Sequence, residues 1–312
     1  MIRMMKEKIL KLKMRISTIC IIIFIFCFSI TIHEFGHFYM AKNFNIGVKE
    51  FSIGLGPELY SIQKNETIYS LKLIPYGGYN RFYSKDKKDP IPENKIYMKD
   101  ASYDKQLLIL IAGIAFNFIF GLLFLFIFTI KLGIPEEVDT DRKENESKEE
   151  FINRIRKEYL LLKYKKVKLI DTLKFVIKKI LNIPSNVIDS VKTNSINNNI
   201  HNINCISDLI IIIESLLKNN KFHITFFIGI INISLGIFNI LPIIPLDGGK
   251  FILVILHEIF GQNKYFDIAF AVISCSILAF IMYLDFGKDL GKMIFAKYKI
   301  VKRKYVSKNE NS

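Results

Sequence analysis

The sequence predicts an α-helical polytopic membrane protein with about four transmembrane helices, and two observations lead to this prediction. Hydrophobic residues make up 51% of the 312 residues, and the mean hydropathy is +0.28. Each of four stretches without Asp, Glu, Lys or Arg is about long enough to cross a hydrocarbon layer of ~30 Å: Ile16–His33, Gln106–Ile130, Phe222–Leu246 and Ile268–Leu284. Charges would interrupt a soluble amphipathic helix every turn or two. The composition therefore argues against a soluble enzyme and excludes a disordered, fibrous or disulfide-stapled secreted chain.

The formal net charge of +15 agrees with a membrane location. The basic residues lie in the segments between the apolar stretches, where they can meet the anionic headgroups of a lipid bilayer. Contact with the bilayer accounts for this charge, so we predict no nucleic-acid partner. We expect a multi-pass protein of the cell membrane.

In the N-terminal half, the predicted elements begin with a basic tail at 1–15 and a first transmembrane helix at 16–40. The polar segment that follows, 41–104, contains a run at 67–74 that mixes β-branched and aromatic residues between clusters of Pro and Gly. Such a run predicts short strands joined by tight turns. The second transmembrane helix is predicted at 105–131.

A long charged loop, 132–221, separates the second and third spans. Within it, 157–181 alternates lysine with apolar residues at near-helical spacing, which predicts an amphipathic helix. That helix could lie on the membrane surface or be an ordinary soluble helix, and both alternatives stay open. The remaining elements are a third span, a short helix, a fourth span and a basic tail, at 222–249, 250–265, 266–285 and 286–312.

The first span ends in the sequence His33-Glu34-Phe35-Gly36-His37. Residues i and i+4 share one face of a helix, and two imidazoles placed in this way can bind one Zn²⁺ at ~2.0–2.1 Å. Glu34 lies beside such a metal without needing to bind it, and it can take a proton from water there. An ionisable group this deep in a span is costly unless it has a partner, so a functional role is the default interpretation. The alternative is a helix end with interfacial polar residues.

A tetrahedral zinc site with a catalytic position needs a third protein ligand. We favour Asp247, because the first and third spans run in the same direction and Pro242 and Pro245 prevent a regular helix before it. The chain can then fold back and bring this carboxylate to the depth of the two histidines. His257 lies on the correct side and is the fallback ligand. Asp247 could instead be the N-cap of a helix at 250–260.

Two uncharged polar residues, Asn117 and Asn239, lie inside predicted spans. Each could bridge helices through hydrogen bonds or bind the backbone of a substrate. Packing is slightly favoured for Asn117, and a role near the site is favoured for Asn239. Both are candidate substrate-binding residues.

Together these motifs resemble the site-2 protease family of intramembrane zinc metalloproteases, in particular its bacterial branch related to regulator of sigma-E protease. The resemblance covers about 1–131 and 220–290. It consists of five segments in fitting order, with Tyr283-Leu284-Asp285 similar to the end of the family's last helix: His33–His37, Phe51–Pro57, Pro75–Tyr79, Gly113 with Asn117, and Asn239–Gly249.

The resemblance implies cleavage of a peptide bond inside a transmembrane segment of a membrane protein, such as an anti-sigma factor or a remnant signal peptide. It implies zinc on His33, His37 and Asp247, Glu34 as the general base, and substrate contact near Asn239. It also implies that 51–83 forms a membrane-associated β-hairpin that presents the substrate as an extended strand. Gly77 and Gly78 are the substrate-binding candidates of that hairpin.

Two departures from the family pattern are visible. The family branch usually carries one or two PDZ domains between the second and third spans, and 132–221 shows no clear PDZ domain. Ile114 also stands where the family has a proline. A membrane metal-ion transporter and a catalytically inactive scaffold remain alternative functions, although transporters usually show paired repeats and a decayed site would have lost some of these residues.

Overall fold

The computed structural model describes residues 2–85, 90–135, 146–166 and 206–282, together with five positions between 171 and 178. The chain divides into two compact units, Met1–Ile240 and Leu241–Ser312. The basic tail predicted at 286–312 lies outside the described residues, and so does part of the amphipathic helix predicted at 157–181, of which 157–166 and the five positions between 171 and 178 are described.

The first unit is built mainly from helices. Its described helices are α1 (Ile2–Asn43), α2 (Tyr103–Leu132), α3 (Lys148–Leu160), α4 (Ile206–Asn219) and α5 (His223–Ile240). Within the described residues, three helical segments are long and apolar enough to cross a membrane: Arg15–Asn43, Tyr103–Leu132 and His223–Ile240. They correspond to the first three predicted spans.

The second unit contains α6 (Asp247–Phe260) and α7 (Lys264–Met282). The predicted fourth span corresponds to α7, whose first turn carries Lys264 and Asp267. Its crossing of a membrane stays a prediction. The third predicted span, 222–249, ends as a helix at Ile240, since a proline at 242 lacks the backbone N–H that would continue the helix.

Helices α1 and α2 approach each other closely at a glycine. A Cβ atom added to Gly36 would lie 2.5 Å from the carbonyl oxygen of Ala112 and 2.9 Å from the Cα of Gly113. In lipid, small residues permit this kind of backbone contact between helices, where no hydrophobic effect drives association. The crossing therefore requires glycine at 36, inside the His-Glu-x-x-His motif.

Helix α5 packs against both of the other spans. A Cβ atom added to Gly121 of α2 would lie 2.6 Å from Cγ1 of Ile233 and 3.0 Å from the carbonyl oxygen of Gly229. Between α1 and α5, Asn232 donates a hydrogen bond from Nδ2 to Oγ of Ser29 over 2.9 Å, and both side chains are fully buried. A polar bond of this kind joins transmembrane helices.

A two-stranded sheet follows α1. Strands β1 (Val48–Lys64) and β2 (Thr67–Phe82) form a long antiparallel hairpin that turns at Asn65, where φ is +54°. The strand expected at 67–74 is part of β2. The turn expected around Pro75–Tyr79 is instead an irregular segment inside β2, where the register with β1 shifts and φ is +116° at Gly77.

The register shows which segments of the hairpin are paired on both sides and which are paired on one side only. Residues 50–53 of β1 are paired with 68–71 and also with 78–81 of β2, so they have partners on both sides. Residues 78–82 are paired with β1 alone. Within the described residues, the end of β2 is therefore an edge of the sheet.

The turn of the hairpin is tied to the C-terminal end of α1. Lys42 donates hydrogen bonds from Nζ to Oε1 of Glu66 over 2.5 Å and to Oγ1 of Thr67 over 2.7 Å, and Nζ of Lys95 lies 3.5 Å from the same carboxylate. The hydrogen bond from Lys42 lowers the pKa of Glu66 to about 2, against a penalty from burial. This charge cluster helps to orient the hairpin relative to the helix that carries the histidines.

Acidification should therefore destabilise the protein through Glu66. Because its folded-state pKa is below the ordinary 4.5, its contribution is complete above about pH 4.5 and is lost as the pH falls toward 2. We expect Glu66→Gln to cost roughly 1–3 kcal/mol at pH 7 and to flatten the pH profile below 4.5. Tm in detergent between pH 7 and pH 3 measures this.

The control is Glu58→Gln, which alters an exposed carboxylate of the same hairpin. It should retain the wild-type slope of Tm against pH. A wild-type slope in Glu66→Gln would contradict the assignment of acid sensitivity to this cluster.

Candidate metal centre

The two histidines of the first span converge on one point. His33 and His37 are both buried, their ring centroids are 4.6 Å apart, and their Nε2 atoms lie 3.1 Å from each other. Two nitrogens bound at ~2.0–2.1 Å to one tetrahedral zinc ion are about 3.3–3.4 Å apart. The pair thus has nearly the spacing that a shared ion requires.

The ring of His37 is oriented by α2. Its Nδ1 lies 2.7 Å from the backbone carbonyl oxygen of Ile109. A carbonyl can only accept, so Nδ1 carries the proton and donates it in this hydrogen bond. Nε2 then keeps its lone pair and can bind a metal, as metal-binding histidines commonly do.

The ring of His33 is oriented by Asn117. The amide nitrogen Nδ2 lies 3.2 Å from Nδ1 of His33, while Oδ1 of the fully buried Asn117 has no hydrogen-bond partner among the described residues. A half-turn of the amide would bring Oδ1 to Nδ1, where it accepts the ring proton and leaves Nε2 with its lone pair. Asn117 therefore contacts a histidine, besides being a candidate for substrate binding.

The backbone of α2 lies against both rings at Gly113. A Cβ atom at this position would lie 2.4 Å from Nε2 of His37 and 2.9 Å from Cε1 of His33. No side chain fits there without moving the histidines. This contact explains glycine at the position four residues before Asn117.

Glu34 is partly buried and is held by the hairpin. Asn80 of β2 donates from Nδ2 to Oε2 of Glu34 over 2.8 Å and to the backbone oxygen of Glu34 over 2.7 Å. A Cβ atom at Gly78 would lie 3.6 Å from Cγ of Glu34. Sequence reasoning missed Asn80, although a polar residue directly after the Pro75–Tyr79 motif was the available signal.

The glycine candidates lie on the edge segment of β2 or beside it. Gly78 is paired with Ile53, and a Cβ atom there would lie 2.8 Å from the carbonyl oxygen of Ser52. Gly77 faces Leu55, whose Cδ1 would be 3.2 Å from an added Cβ. The structure thus brings Gly78 next to Glu34.

Asn239 lies near the end of α5. Its Nδ2 donates to the carbonyl oxygen of Leu235 over 3.0 Å, one turn earlier in the same helix. In the part of the chain that the structure describes, no hydrogen bond joins it to His33 or His37.

In the second unit, Asp247 is the first residue of α6 and is 2% exposed. The N-cap position belongs to Leu246, and no side-chain cap hydrogen bond is formed. Asp247 is therefore not the N-cap of this helix, contrary to the alternative considered for it. A carboxylate in the first turn is favoured by the helix dipole, and Nζ of Lys250 lies 3.0 Å from Oδ1.

The fallback ligand His257 has a partner of its own. Its Nε2 lies 2.6 Å from Oδ1 of Asp267, within the second unit. This ion pair or hydrogen bond engages one of the two ring nitrogens of His257.

Comparison with known proteins adds relatives that match over short segments. The zinc metalloprotease RasP of Oceanobacillus iheyensis is 44% identical over 70 residues, which is 22% of this chain and 16% of RasP. RasP of Shouchella clausii is 40% identical over 74 residues, 24% of this chain and 18% of RasP. FN1322 of Fusobacterium nucleatum, named as a candidate zinc metalloprotease, is 38% identical over 112 residues, 36% of this chain and 32% of FN1322.

These matches span about a sixth to a third of the relatives' lengths. A family model covers far more of the chain, since it matches residues 21–284. That range includes the histidine pair, Glu34, the hairpin, Asn117 and Asp247. With the resemblance of the motifs confirmed in this way, the chain belongs to peptidase family M50, the site-2 protease family.

Proposed function

We propose that this protein is an intramembrane zinc endopeptidase that hydrolyses peptide bonds within transmembrane segments of membrane proteins. The observation that carries the proposal is the convergence of Nε2 of His33 and Nε2 of His37, 3.1 Å apart, in a helix of membrane-spanning length. The carboxylate of Glu34 lies on the next residue after the first histidine. This combination supplies metal ligands and a proton acceptor at one place in the bilayer.

His33, His37 and Asp247 would hold the zinc ion. For Asp247 the support is the position of the residue after the proline-broken end of the third span, its burial, and the family pattern. Zinc bound there would act as a Lewis acid toward water and the scissile carbonyl. Ile109 keeps the ring of His37 in the tautomer that a metal requires, and Asn117 would do the same for His33 once its amide is turned by half a turn.

Glu34 is the proposed general base. Its carboxylate would take the proton of the attacking water and pass it to the leaving amine. Asn80 and Gly78 of β2 lie against it, so the base and the strand edge are neighbours.

The edge of β2 is the proposed place for the substrate. A helical substrate has its backbone hydrogen bonds satisfied internally, and in lipid these must be exchanged before the peptide bond can be attacked. An edge strand offers replacement partners. The hairpin also exposes apolar side chains that suit contact with hydrocarbon: Leu59, Tyr60, Ile62, Leu71 and Leu73.

Single-span proteins such as membrane-anchored anti-sigma factors or remnant signal peptides are the proposed substrate class. In such proteins only one helix must be unwound, and that helix is not packed against other transmembrane helices of the same chain. The proposed location is the cell membrane, with the site formed by several spans.

Removal of any metal ligand should empty the site. We expect His33→Ala, His37→Ala and Asp247→Ala each to weaken zinc binding by more than about 100-fold, because a three-ligand site tolerates no vacancy. Metal analysis of the purified detergent-solubilised variants measures this. The matched control is His257→Ala, which removes a histidine paired with Asp267 and should keep full occupancy.

Full zinc occupancy in Asp247→Ala would remove that residue from the ligand set. Full occupancy in Asp247→Ala together with zinc loss in His257→Ala would make His257 the third zinc ligand.

Glu34→Gln should separate metal binding from turnover. We expect zinc content to stay at the wild-type level while cleavage falls by about 10²- to 10⁴-fold, the usual worth of a general base. The measurement is cleavage of a single-span reporter protein in proteoliposomes. Glu58→Gln, on the exposed part of the hairpin, should cleave normally, and equal rates for Glu34→Gln and wild type would make Glu34 a structural residue.

The unwinding requirement can be tested on the substrate. Glycine beside the scissile bond should raise the cleavage rate by up to about 5-fold relative to alanine, because glycine costs a helix ~1 kcal/mol. Paired reporters that differ only at this position give the ratio. Equal rates for the two reporters would count against strand presentation.

A further inference from the structure

One side chain of the hairpin reaches the proposed base. The amide nitrogen of Asn80 donates to Oε2 of Glu34 over 2.8 Å and to the backbone oxygen of Glu34 over 2.7 Å. Both distances are within the range of strong hydrogen bonds. One NH₂ group therefore fixes the carboxylate relative to the helix backbone from which it extends.

The chemistry of the contact sets the orientation of the amide. Both atoms of Glu34 that face Asn80 are acceptors, so only the NH₂ end of the amide can satisfy them. Oδ1 of Asn80 is buried and has no hydrogen-bond partner among the described residues. Burying an acceptor in this way costs free energy, which argues that the donor function determines the residue type.

The strand that carries Asn80 is anchored to the same helix as Glu34. Asn80 is paired across the sheet with Phe51, and the ring of Phe51 packs against Phe38 and Phe35 of α1 with centroids 5.2 and 6.5 Å apart. Gly78, two residues earlier, lies on the same face of the strand and also faces Glu34. The contact is thus part of a packed junction between α1 and β2.

We infer that Asn80 is a positioning residue for Glu34, and this inference rests on the proposed function. By holding Oε2, it leaves Oε1 as the oxygen that accepts the proton of the attacking water. A glutamate side chain has several rotatable bonds, and fixing it before the reaction removes an entropy cost from the chemical step. The hairpin then contributes to catalysis itself, in addition to any contact that it makes with substrate.

The experiment compares Asn80→Leu and Asn80→Asp in the full-length protein. Leu removes the donor, whereas Asp keeps the shape, replaces the donor by acceptors and adds a charge that repels Glu34. Zinc content, Tm, kcat and KM are measured with the single-span reporter in proteoliposomes. Gln63→Leu removes an exposed amide from the same hairpin and is the matched control.

We expect both Asn80 variants to lower kcat by about 10- to 100-fold, with KM, zinc content and Tm close to wild type. Gln63→Leu should match wild type in all four quantities. A kcat effect without a KM effect distinguishes positioning of the base from binding of the substrate.

Three outcomes would overturn the inference. They are a wild-type kcat in both variants, a higher KM with unchanged kcat, and a loss of zinc or Tm in both variants that accounts for the loss of activity. In each case an inactive Glu34→Gln leaves the proposed function standing. If Glu34→Gln cleaves as fast as wild type, the proposed base is wrong and this inference falls with it.

Discussion

The burial of two imidazole rings inside a bundle of membrane-length helices is the constraint on which the rest of this structure depends. His33 and His37 are each 7% exposed, and a buried polar ring is costly unless its nitrogens have partners. Helix α2 supplies them through the carbonyl oxygen of Ile109 and the amide of Asn117. It can do so only because its backbone comes close, and Gly113 is what permits that approach.

A stripe of buried residues on α1 organises the first unit along its length. Buried residues recur every four positions, so the stripe turns slowly around the helix, by about 40° at each step: Ile25, Ser29, His33, His37 and Ala41. The stripe meets α5 through the bond between Ser29 and Asn232, and it meets α2 at the histidines. Phe24 and Phe35, on other faces, are exposed, as suits side chains that face lipid. Along one helix, the buried polar side chains thus lie apart from the exposed aromatic ones.

Features that depend on local spacing could be predicted from the sequence, and features that depend on distant pairing could not. The relation of His33 to His37 follows from helical geometry over four residues, and three of the predicted spans follow from apolar runs. Asn80 is 46 residues from Glu34, and Asn232 is 203 residues from Ser29. Neither pairing leaves a periodic signal, because each depends on how separate elements pack.

The hairpin shows the same limit within one element. A run of strand-forming residues predicts the strand at 67–74, but the clusters of Pro and Gly beside it predict turns that bound the strand. In the structure, Gly77 lies inside β2 at a shift of register. Glycine in a strand can mark a bulge as well as a turn, and pairing with the central segment of β1 decides between them. That pairing places the edge of the sheet beside Glu34.

The proposed metal ligands of the first unit and the proposed base are therefore positioned by different parts of the fold. Within the first unit, the ring orientations of the two histidines depend on contacts between α1 and α2, whereas the carboxylate of Glu34 depends on β2. A helix pair packed backbone to backbone at Gly36 can change little without a clash. An edge strand has one side without a strand partner among the described residues, and its other contacts hold Asn80 against Glu34. In a fold divided in this way, a substitution on the edge of β2 can displace the proposed base while the contacts that orient the two histidines stay in place.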